Sequence, residues 1–177
     1  MLEIVTDRLE MRETVADDLE VLLPIYLSNP TFVEQNEGSE GEIGRYDLDR
    51  WQRDWHIQQM LPGSHRLGCY LKEDLAPVGF LDFLEKHEDG YPWLGSLVID
   101  KGSQRRGFGS EAFQGLIDYA RENKACPSWT TLRAAVKVVN EEGLAFLTHL
   151  GFQTVKTESE RFAGGFQQFL VMEYSVI

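Results

Sequence analysis

The stretch Gln104-Arg105-Arg106-Gly107-Phe108-Gly109-Ser110 decides how the centre of this chain folds and what it binds. It follows an apolar, β-like segment over residues 93–100 and precedes an amphipathic helix predicted over residues 110–123. A helix that begins directly after a turn carries unpaired backbone N–H groups and the positive end of its dipole, and both attract anions. Because glycine has no side chain, a phosphate can approach those donors closely. The stretch therefore predicts a site for a pyrophosphate-bearing cofactor.

The segments on either side of this stretch predict one mixed sheet. Strands are expected over residues 2–12, 67–72, 78–86, 93–99, 129–138, 152–157 and 167–174. Helices are expected from residue 16, with Thr14 as a cap, and over 47–60, 110–123 and 141–150, with an acidic loop over 34–44. This order is typical of an α/β (α+β) fold with a mixed, partly antiparallel central sheet flanked by helices. Because the 177 residues contain no repeat and no long linker, we expect a single domain over residues 1–177.

The composition limits the classes of partner. A net charge of −12 disfavours nucleic acid and anionic membranes and favours cationic substrates such as amines, although acidity also serves solubility alone. Cys69 and Cys126 form no CxxC pair and the four histidines lack metal-ligand spacing, so we expect neither a disulfide framework nor a metal. Residues 1–30 show no signal-peptide pattern, and no apolar run approaches the roughly 18 residues of a membrane span. The expected location is the cytoplasm.

Two kinds of phosphate-binding turn fit the 104–110 stretch poorly. A P-loop needs a lysine directly after its last glycine, and Ser110 follows Gly109 here. A dinucleotide fingerprint, GxGxxA, is formally present over residues 107–112, but an acidic residue should follow about twenty residues later. Residues 123–139 contain no Asp or Glu, and too little chain remains for a doubly wound sheet. Both interpretations are disfavoured.

A third interpretation is a resemblance that covers nearly the whole chain. Residues 104–109 resemble the Q/R-x-x-G-x-G/A signature of the GCN5-related N-acetyltransferase (GNAT) superfamily. Asn140 begins a predicted helix that ends in Leu-Gly-Phe at 150–152, similar to the family's Asn…LGF element. Residues 6–12, Thr-Asp-Arg-Leu-Glu-Met-Arg, are similar to the TxRLxLR opening of the branch that includes ribosomal-protein N-terminal acetyltransferases. The resemblance implies the GNAT fold and acetyl-CoA as the acetyl donor.

The resemblance also implies a cofactor site, because family members bind pantetheine along a splayed strand edge and pyrophosphate in the glycine loop. The backbone N–H of Ile99 would then stabilise the oxyanion that develops on the thioester carbonyl. Arg105 and Arg106 would add charge-assisted contacts to phosphate, unless they are only a solvated pair. Asn140 would contact the cofactor arm, or would simply cap its helix, and the glycines could merely form a tight turn. The cofactor-binding residues expected are Leu97, Val98, Ile99, Gln104, Arg105, Arg106, Gly107, Phe108, Gly109, Ser110 and Asn140.

The catalytic side chains of the branch that acts on protein N-termini are missing. An alkyl amine with a pKa near 10 must lose a proton before it attacks a thioester. That branch often uses a glutamate and a tyrosine, and this chain has Ala135 and Leu147 at those positions. Asp82 is a weak candidate for the general base in place of these residues. The alternative is that the Asp82 carboxylate is only hydrogen-bonded in the sheet. His149 is predicted to face solvent.

The acceptor side is predicted from the N-terminal helices. Tyr46, Trp51 and Trp55 could wall a pocket, although aromatic residues with this spacing are also typical of a core. The resemblance implies direct transfer, in a ternary complex, to a primary amine on a small cationic molecule or on a protein N-terminus. Because Ala135 and Leu147 replace catalytic residues, a non-catalytic acyl-CoA-binding regulatory module remains the second hypothesis. A homodimer stays open, since dimers are common among similar proteins.

Overall fold

The computed structural model describes residues 2–38, 45–122, 129–162 and 165–177, which contain eight β-strands and five α-helices. The strands are β1 (Glu3–Val5), β2 (Leu9–Glu13), β3 (Ser64–Leu71), β4 (Pro77–Leu84), β5 (Trp93–Ile99), β6 (Thr131–Lys137), β7 (Gln153–Phe162) and β8 (Gly165–Ser175). The helices are α1 (Leu19–Leu27), α2 (Pro30–Glu37), α3 (Leu48–Gln59), α4 (Phe108–Glu122) and α5 (Glu141–Leu150). Short 3-10 turns over Ala16–Asp18 and Lys101–Ser103 precede α1 and α4.

All eight strands belong to one sheet with the order β1-β2-β3-β4-β5-β6-β8-β7. Neighbouring strands are antiparallel except β5 and β6, which run parallel. A parallel pair needs a crossover connection, and α4 lies in the segment that supplies it. The predicted mixed, partly antiparallel sheet flanked by helices is confirmed.

Each face of the sheet carries its own apolar cluster. Side chains alternate along a strand, so Phe80 and Val98 point to the face covered by α1 and α3, and Leu81 and Ile99 to the face covered by α4. Helix α4 fits its face because its apolar residues recur every three to four positions. Its buried residues are Phe108, Ala112, Phe113, Gly115, Leu116, Ile117 and Ala120.

The N-terminal strand prediction was wrong in one respect. Residues 2–12 form the hairpin β1–β2 rather than one strand, because the backbone N–H of Thr6 donates to the Leu9 carbonyl and closes a tight turn. The apolar alternation changes phase at the polar run Thr6-Asp7-Arg8, which is where the hairpin turns. This turn contacts the start of α4, because the Thr6 hydroxyl donates to the Glu111 carboxylate.

The elements that follow also differ from the prediction. Thr14 does not cap a helix: its hydroxyl accepts a hydrogen bond from Nε1 of Trp55, and α1 begins later, at Leu19. Residues 34–37 of the predicted acidic loop form the last turn of α2, and the loop's residues 39–44 lie outside the described ranges. Helix α4 begins at Phe108, two residues before its predicted start, which brings Gly109 into its first turn.

Candidate active site

Strands β5 and β6 diverge in the middle of the sheet. They pair only at Trp93 with Arg133 and at Leu94 with Ala134 within the described residues. The register between β4 and β5 shifts at this level, because Gly95 is an extra residue on β5. A bulge of this kind bends a strand and increases its twist. The result is a wedge-shaped opening between the C-terminal halves of β5 and β6.

Main-chain groups of β5 face this opening. The N–H of Asp100 donates to the Val78 carbonyl, and hydrogen-bonded pairs alternate along an antiparallel ladder. The N–H and C=O groups of Leu97 and Ile99 therefore point away from β4 and towards β6. Val98 differs from the prediction, because the same alternation turns its backbone to β4 while its side chain is buried in the core. A cofactor arm in the opening can pair with residues 97 and 99 but not with 98.

The end of β5 is fixed by two amide side chains. Nε2 of Gln104 donates to the Ile99 carbonyl at 3.1 Å and to Oδ1 of Asn29 at 2.7 Å. Nδ2 of Asn29, the residue before α2, donates to the same carbonyl at 3.1 Å. These bonds occupy the Ile99 carbonyl and leave its N–H as the polar group directed to the opening. Gln104, predicted as a cofactor-binding residue, holds the loop against β5 through its side chain.

The loop after Gln104 has the open backbone that an anion site requires. Arg105 and Gly107 have left-handed backbones, with φ of 62° and 85°. The first backbone hydrogen bond of α4 runs from Glu111 N–H to the Gly107 carbonyl. Within the described ranges, the N–H groups of residues 105–110 donate to no other group of the protein. A left-handed non-glycine residue costs about 1–2 kcal/mol, so the loop holds an unfavourable backbone shape at the exposed Arg105.

Gly107 and Gly109 are needed in the loop for different structural reasons. Gly107 has a positive φ, and a Cβ built there would lie 3.3 Å from Nη2 of Arg8. At Gly109 a Cβ would lie 3.0 Å from Cζ of Phe146 on α5, so this glycine lets α4 begin close to α5. Close helix packing therefore accounts for Gly109 in addition to any approach of phosphate.

The start of α4 is tied to the β1–β2 turn by a dense polar network. Glu111 Oε1 accepts from the Thr6 hydroxyl at 2.6 Å and from the Arg8 backbone N–H at 2.7 Å. Glu111 Oε2 pairs with the Arg8 guanidinium at 2.6 Å, and Nη1 of Arg8 donates to the Arg106 carbonyl at 3.0 Å. Burial alone would raise the pKa of Glu111, but these hydrogen bonds hold it below its ordinary value. The guanidinium groups of Arg8 and Arg106 both lie over the Phe108 ring.

Asp82 is already paired. Its carboxylate accepts from Nε and Nη2 of Arg66 at 2.7 and 3.0 Å and from the Ser96 hydroxyl at 2.6 Å. Arg66 is itself buried and lies over the Trp51 ring at 4.4 Å. Burial opposes its charge, yet the Asp82 carboxylate keeps the pKa of Arg66 above its ordinary value. Both carboxylate oxygens are therefore engaged inside the sheet, and the geometry favours the hydrogen-bonded alternative over a base.

The aromatic residues of the predicted acceptor pocket form a core instead. Tyr46 and Trp51 are 6% and 2% exposed and pack with Tyr26 and Phe80 between α1, α3 and the sheet. Trp55 is half-buried and bonds to Thr14. Neither Tyr46 nor Trp51 presents a ring to an open cavity, because four aromatic side chains fill the space between the layers.

Ala135 and Leu147, which occupy the positions of the glutamate and the tyrosine, have different surroundings. Ala135 is exposed on β6, on the same side of the strand as Arg133 and Lys137. Leu147 is buried on α5 and packs in the core. Lys137 donates to the Gln35 carbonyl of α2, and burial lowers the pKa of its ammonium group. Sequence reasoning assigned Lys137 no role, since its partner on α2 is far away along the chain.

Asn140 caps α5, and its Oδ1 accepts from the Gly143 N–H at 2.9 Å. His149 is exposed near the other end of this helix. Among the described residues, no group of three or more His, Cys, Asp or Glu side chains could hold a metal ion. None of the helices described is long and apolar enough to cross a membrane.

Comparison with known proteins identifies solved structures of the same fold. An acetyltransferase from Thermus thermophilus is 21% identical in sequence to this chain and superposes on it with a TM-score of 0.71. The match covers 98% of this chain and 100% of that chain. A Vibrio cholerae protein assigned as a ribosomal-protein-serine acetyltransferase shares 19% identity and a TM-score of 0.69, over 98% and 97% of the two chains. A spermidine N-acetyltransferase chimera of Vibrio cholerae and hSSAT sequences shares 15% identity and a TM-score of 0.66, over 95% of each chain.

These identities are low, so the three structures establish the shared fold alone. No curated protein sequence matches the chain. The sequence profile of the acetyltransferase (GNAT) domain, however, matches residues 8–153, which include the glycine loop, the diverging strands and the helix that Asn140 caps. The resemblance seen in the sequence is thereby confirmed, and the chain belongs to the GNAT acetyltransferase family.

Proposed function

We propose that this chain, as a single domain over residues 1–177, transfers an acetyl group from acetyl-CoA to a primary amine. The observation that carries the proposal is the opening between β5 and β6 together with the unpaired N–H groups of residues 105–110. The loop offers donors for a diphosphate, and the wall of the opening offers the N–H and C=O groups of Leu97 for pantetheine and the N–H of Ile99 for the thioester carbonyl. One extended cofactor can use both, because the loop directly follows β5.

Transfer proceeds in a ternary complex without an acyl-enzyme. The amine nitrogen attacks the thioester carbonyl carbon, and the Ile99 N–H donates to the oxygen that becomes negative. The C–S bond then breaks, the acetyl group stays on nitrogen, and the CoA thiolate takes up a proton. Holding amine and thioester together supplies much of the rate in such a reaction.

The proton lost by the amine passes to water rather than to Asp82. Asp82 is occupied by Arg66 and Ser96, and Leu147 stands where a tyrosine acid would be. Exposure of Ala135 lets water reach this face of β6. A primary amine that is partly deprotonated at neutral to alkaline pH therefore suits this site best, and activity should rise with pH.

Two acceptor classes remain within this proposal. A small cationic amine fits the net charge of −12, and one structural neighbour is a spermidine N-acetyltransferase chimera. A protein N-terminus fits the Thr-Asp-Arg-Leu-Glu-Met-Arg opening and the neighbour assigned as a ribosomal-protein-serine acetyltransferase. The cytoplasm supplies both acceptors and acetyl-CoA, and it is the location we propose.

A second candidate function is an acyl-CoA-binding module without turnover. Burial of Leu147 in the core favours it, because no catalytic acid occupies that position. The test is steady-state release of free CoA with a panel of polyamines, amino sugars and short peptides, with mass detection of the acetylated product. Amine-dependent thiol release supports the enzyme. Saturable acetyl-CoA binding without any amine-dependent thiol supports the module, and absence of binding refutes both.

A further inference from the structure

Arg8 contacts three residues of the loop-to-helix junction to which the proposed function assigns the diphosphate. Its guanidinium pairs with Glu111 in the first turn of α4, and its Nη1 donates to the Arg106 carbonyl inside the loop. It also lies 4.6 Å from the centre of the Phe108 ring. The side chain comes from the β1–β2 turn, which is separated from the loop by more than half of the chain.

Glu111 creates an electrostatic difficulty at this place. A carboxylate near a helix N-terminus stabilises a free helix, because it interacts with the positive end of the dipole. The same end is where a diphosphate would bind, so an uncompensated Glu111 would repel the ligand. Its carboxylate is mostly shielded from solvent, with 15% of the side chain exposed, so water screens it poorly. Binding of an anion here requires a cation on Glu111.

The bond from Arg8 to the Arg106 carbonyl has a second effect. In a trans peptide the C=O and the following N–H point in opposite directions. Because Arg8 holds the Arg106 carbonyl towards the β1–β2 turn, the N–H of Gly107 points away from that turn. The left-handed φ of Gly107 then continues the chain into α4. One side chain thus neutralises the acid and also sets the direction of a loop donor.

We propose that Arg8 is a positioning residue of the cofactor site, which makes the start of α4 able to accept an anion by cancelling the charge of Glu111 and fixing the Arg106–Gly107 peptide. The inference rests on the proposed function, since it concerns the same diphosphate. It assigns a role to the hairpin turn beyond stability: Thr6 and the Arg8 backbone hold Glu111, and the Arg8 side chain faces the loop.

The test is the dissociation constant of CoA for wild type, Arg8→Gln, Arg8→Lys, Glu111→Gln and the double variant Arg8→Gln/Glu111→Gln. Lys72→Gln is the matched control, because Lys72 is a cation of the same region that donates to the Thr6 carbonyl and does not touch the loop. Pantetheine, which lacks the diphosphate, is the control ligand. Circular dichroism and urea unfolding identify the conditions under which every variant is folded.

We expect Arg8→Gln to weaken CoA binding about 10-fold, Arg8→Lys to weaken it less, and Lys72→Gln to leave it unchanged within about twofold. The double variant should bind CoA about threefold more tightly than Arg8→Gln, because the repelling charge of Glu111 is gone. Pantetheine binding should be the same for all variants. Equal loss for CoA and pantetheine, or a double variant that binds no better than Arg8→Gln, would overturn the inference. Wild type that fails to bind CoA would instead refute the proposed function.

Discussion

Replacing Gly107 by alanine tests whether the loop's backbone shape, rather than its charge, binds the cofactor. Gly90 provides a matched control, since it has a φ of 86° against 85° for Gly107 and lies in the β4–β5 hairpin. A Cβ at Gly90 meets nothing within 4 Å, whereas a Cβ at Gly107 lies 3.3 Å from Arg8. Both substitutions impose the same left-handed strain, but only Gly107→Ala alters the proposed site.

The expected magnitudes separate stability from binding. Alanine in a left-handed conformation costs about 1–2 kcal/mol, so both variants should lose about that much free energy of unfolding. At Gly107 the strain is relieved if φ becomes negative, and this turns the N–H groups of residues 107 and 108 away from the ligand. A hydrogen bond to a charged group contributes about 1.5–3 kcal/mol, which corresponds to roughly 10- to 150-fold in the dissociation constant.

Isothermal titration with CoA measures the effect on affinity, and urea unfolding measures the effect on stability. Gly107→Ala should lose affinity and Gly90→Ala should keep it, with similar unfolding midpoints for the two. If Gly107→Ala binds CoA as tightly as Gly90→Ala, the backbone donors of this loop do not hold the diphosphate, and the assignment of the site is wrong.

Two further predictions concern buried carboxylates. Asp82→Asn should lower the free energy of unfolding by about 3–5 kcal/mol, because the buried Arg66 loses its counter-ion, while kcat of the folded fraction changes little; a stable variant without activity would identify Asp82 as the base. Burial alone would raise the pKa of Asp18, but hydrogen bonds from Arg12, Val15 and Tyr70 hold it below its ordinary 3.8. The contribution of Asp18 to the free energy of unfolding is therefore present at neutral pH and is lost as pH falls below about 4. The stability advantage of wild type over Asp18→Asn should therefore shrink between pH 7 and pH 3 in urea unfolding, and an advantage that stays constant or grows would contradict this reasoning.

The strand, loop and helix of the proposed cofactor site could be predicted from sequence because their determinants are local. A strand, a glycine-rich turn and an amphipathic helix follow one another within about thirty residues, and each leaves a pattern in the apolar residues. The glycine-rich turn and the cap at Asn140 follow from those residues alone, whereas α4 begins at Phe108, two residues before its predicted start. The exception is Val98, where prediction required the phase of the β4–β5 ladder, and the bulge at Gly95 shifts that phase.

The acceptor side could not be predicted because its determinants are distant in sequence. Aromatic residues one helical turn apart can line either a pocket or a core, and only the packing of α3 against α1 and β3 shows that Trp51 lies in a core. The sequence left two interpretations of Asp82 open because Arg66 lies on the neighbouring strand, and the register of β3 with β4 is what brings the two residues together. The same limit applies on the cofactor side, where Arg8 and Glu111 are separated by more than half the chain and no pattern in the sequence links them.

The net charge of the protein has opposite effects on the binding of the two substrates. At a net charge of −12 the long-range field attracts a cationic amine and repels CoA, whose diphosphate and ribose phosphate are anionic. Cofactor binding must then depend on short-range groups, which are the N–H donors of residues 105–110 and the cations that surround them. Arg105 and Arg106 are exposed on the loop, and Glu111, the acid nearest to them on α4, is paired. Salt should therefore weaken amine binding by screening the acidic surface, while it has a smaller effect on CoA, because long-range repulsion and short-range attraction are screened together.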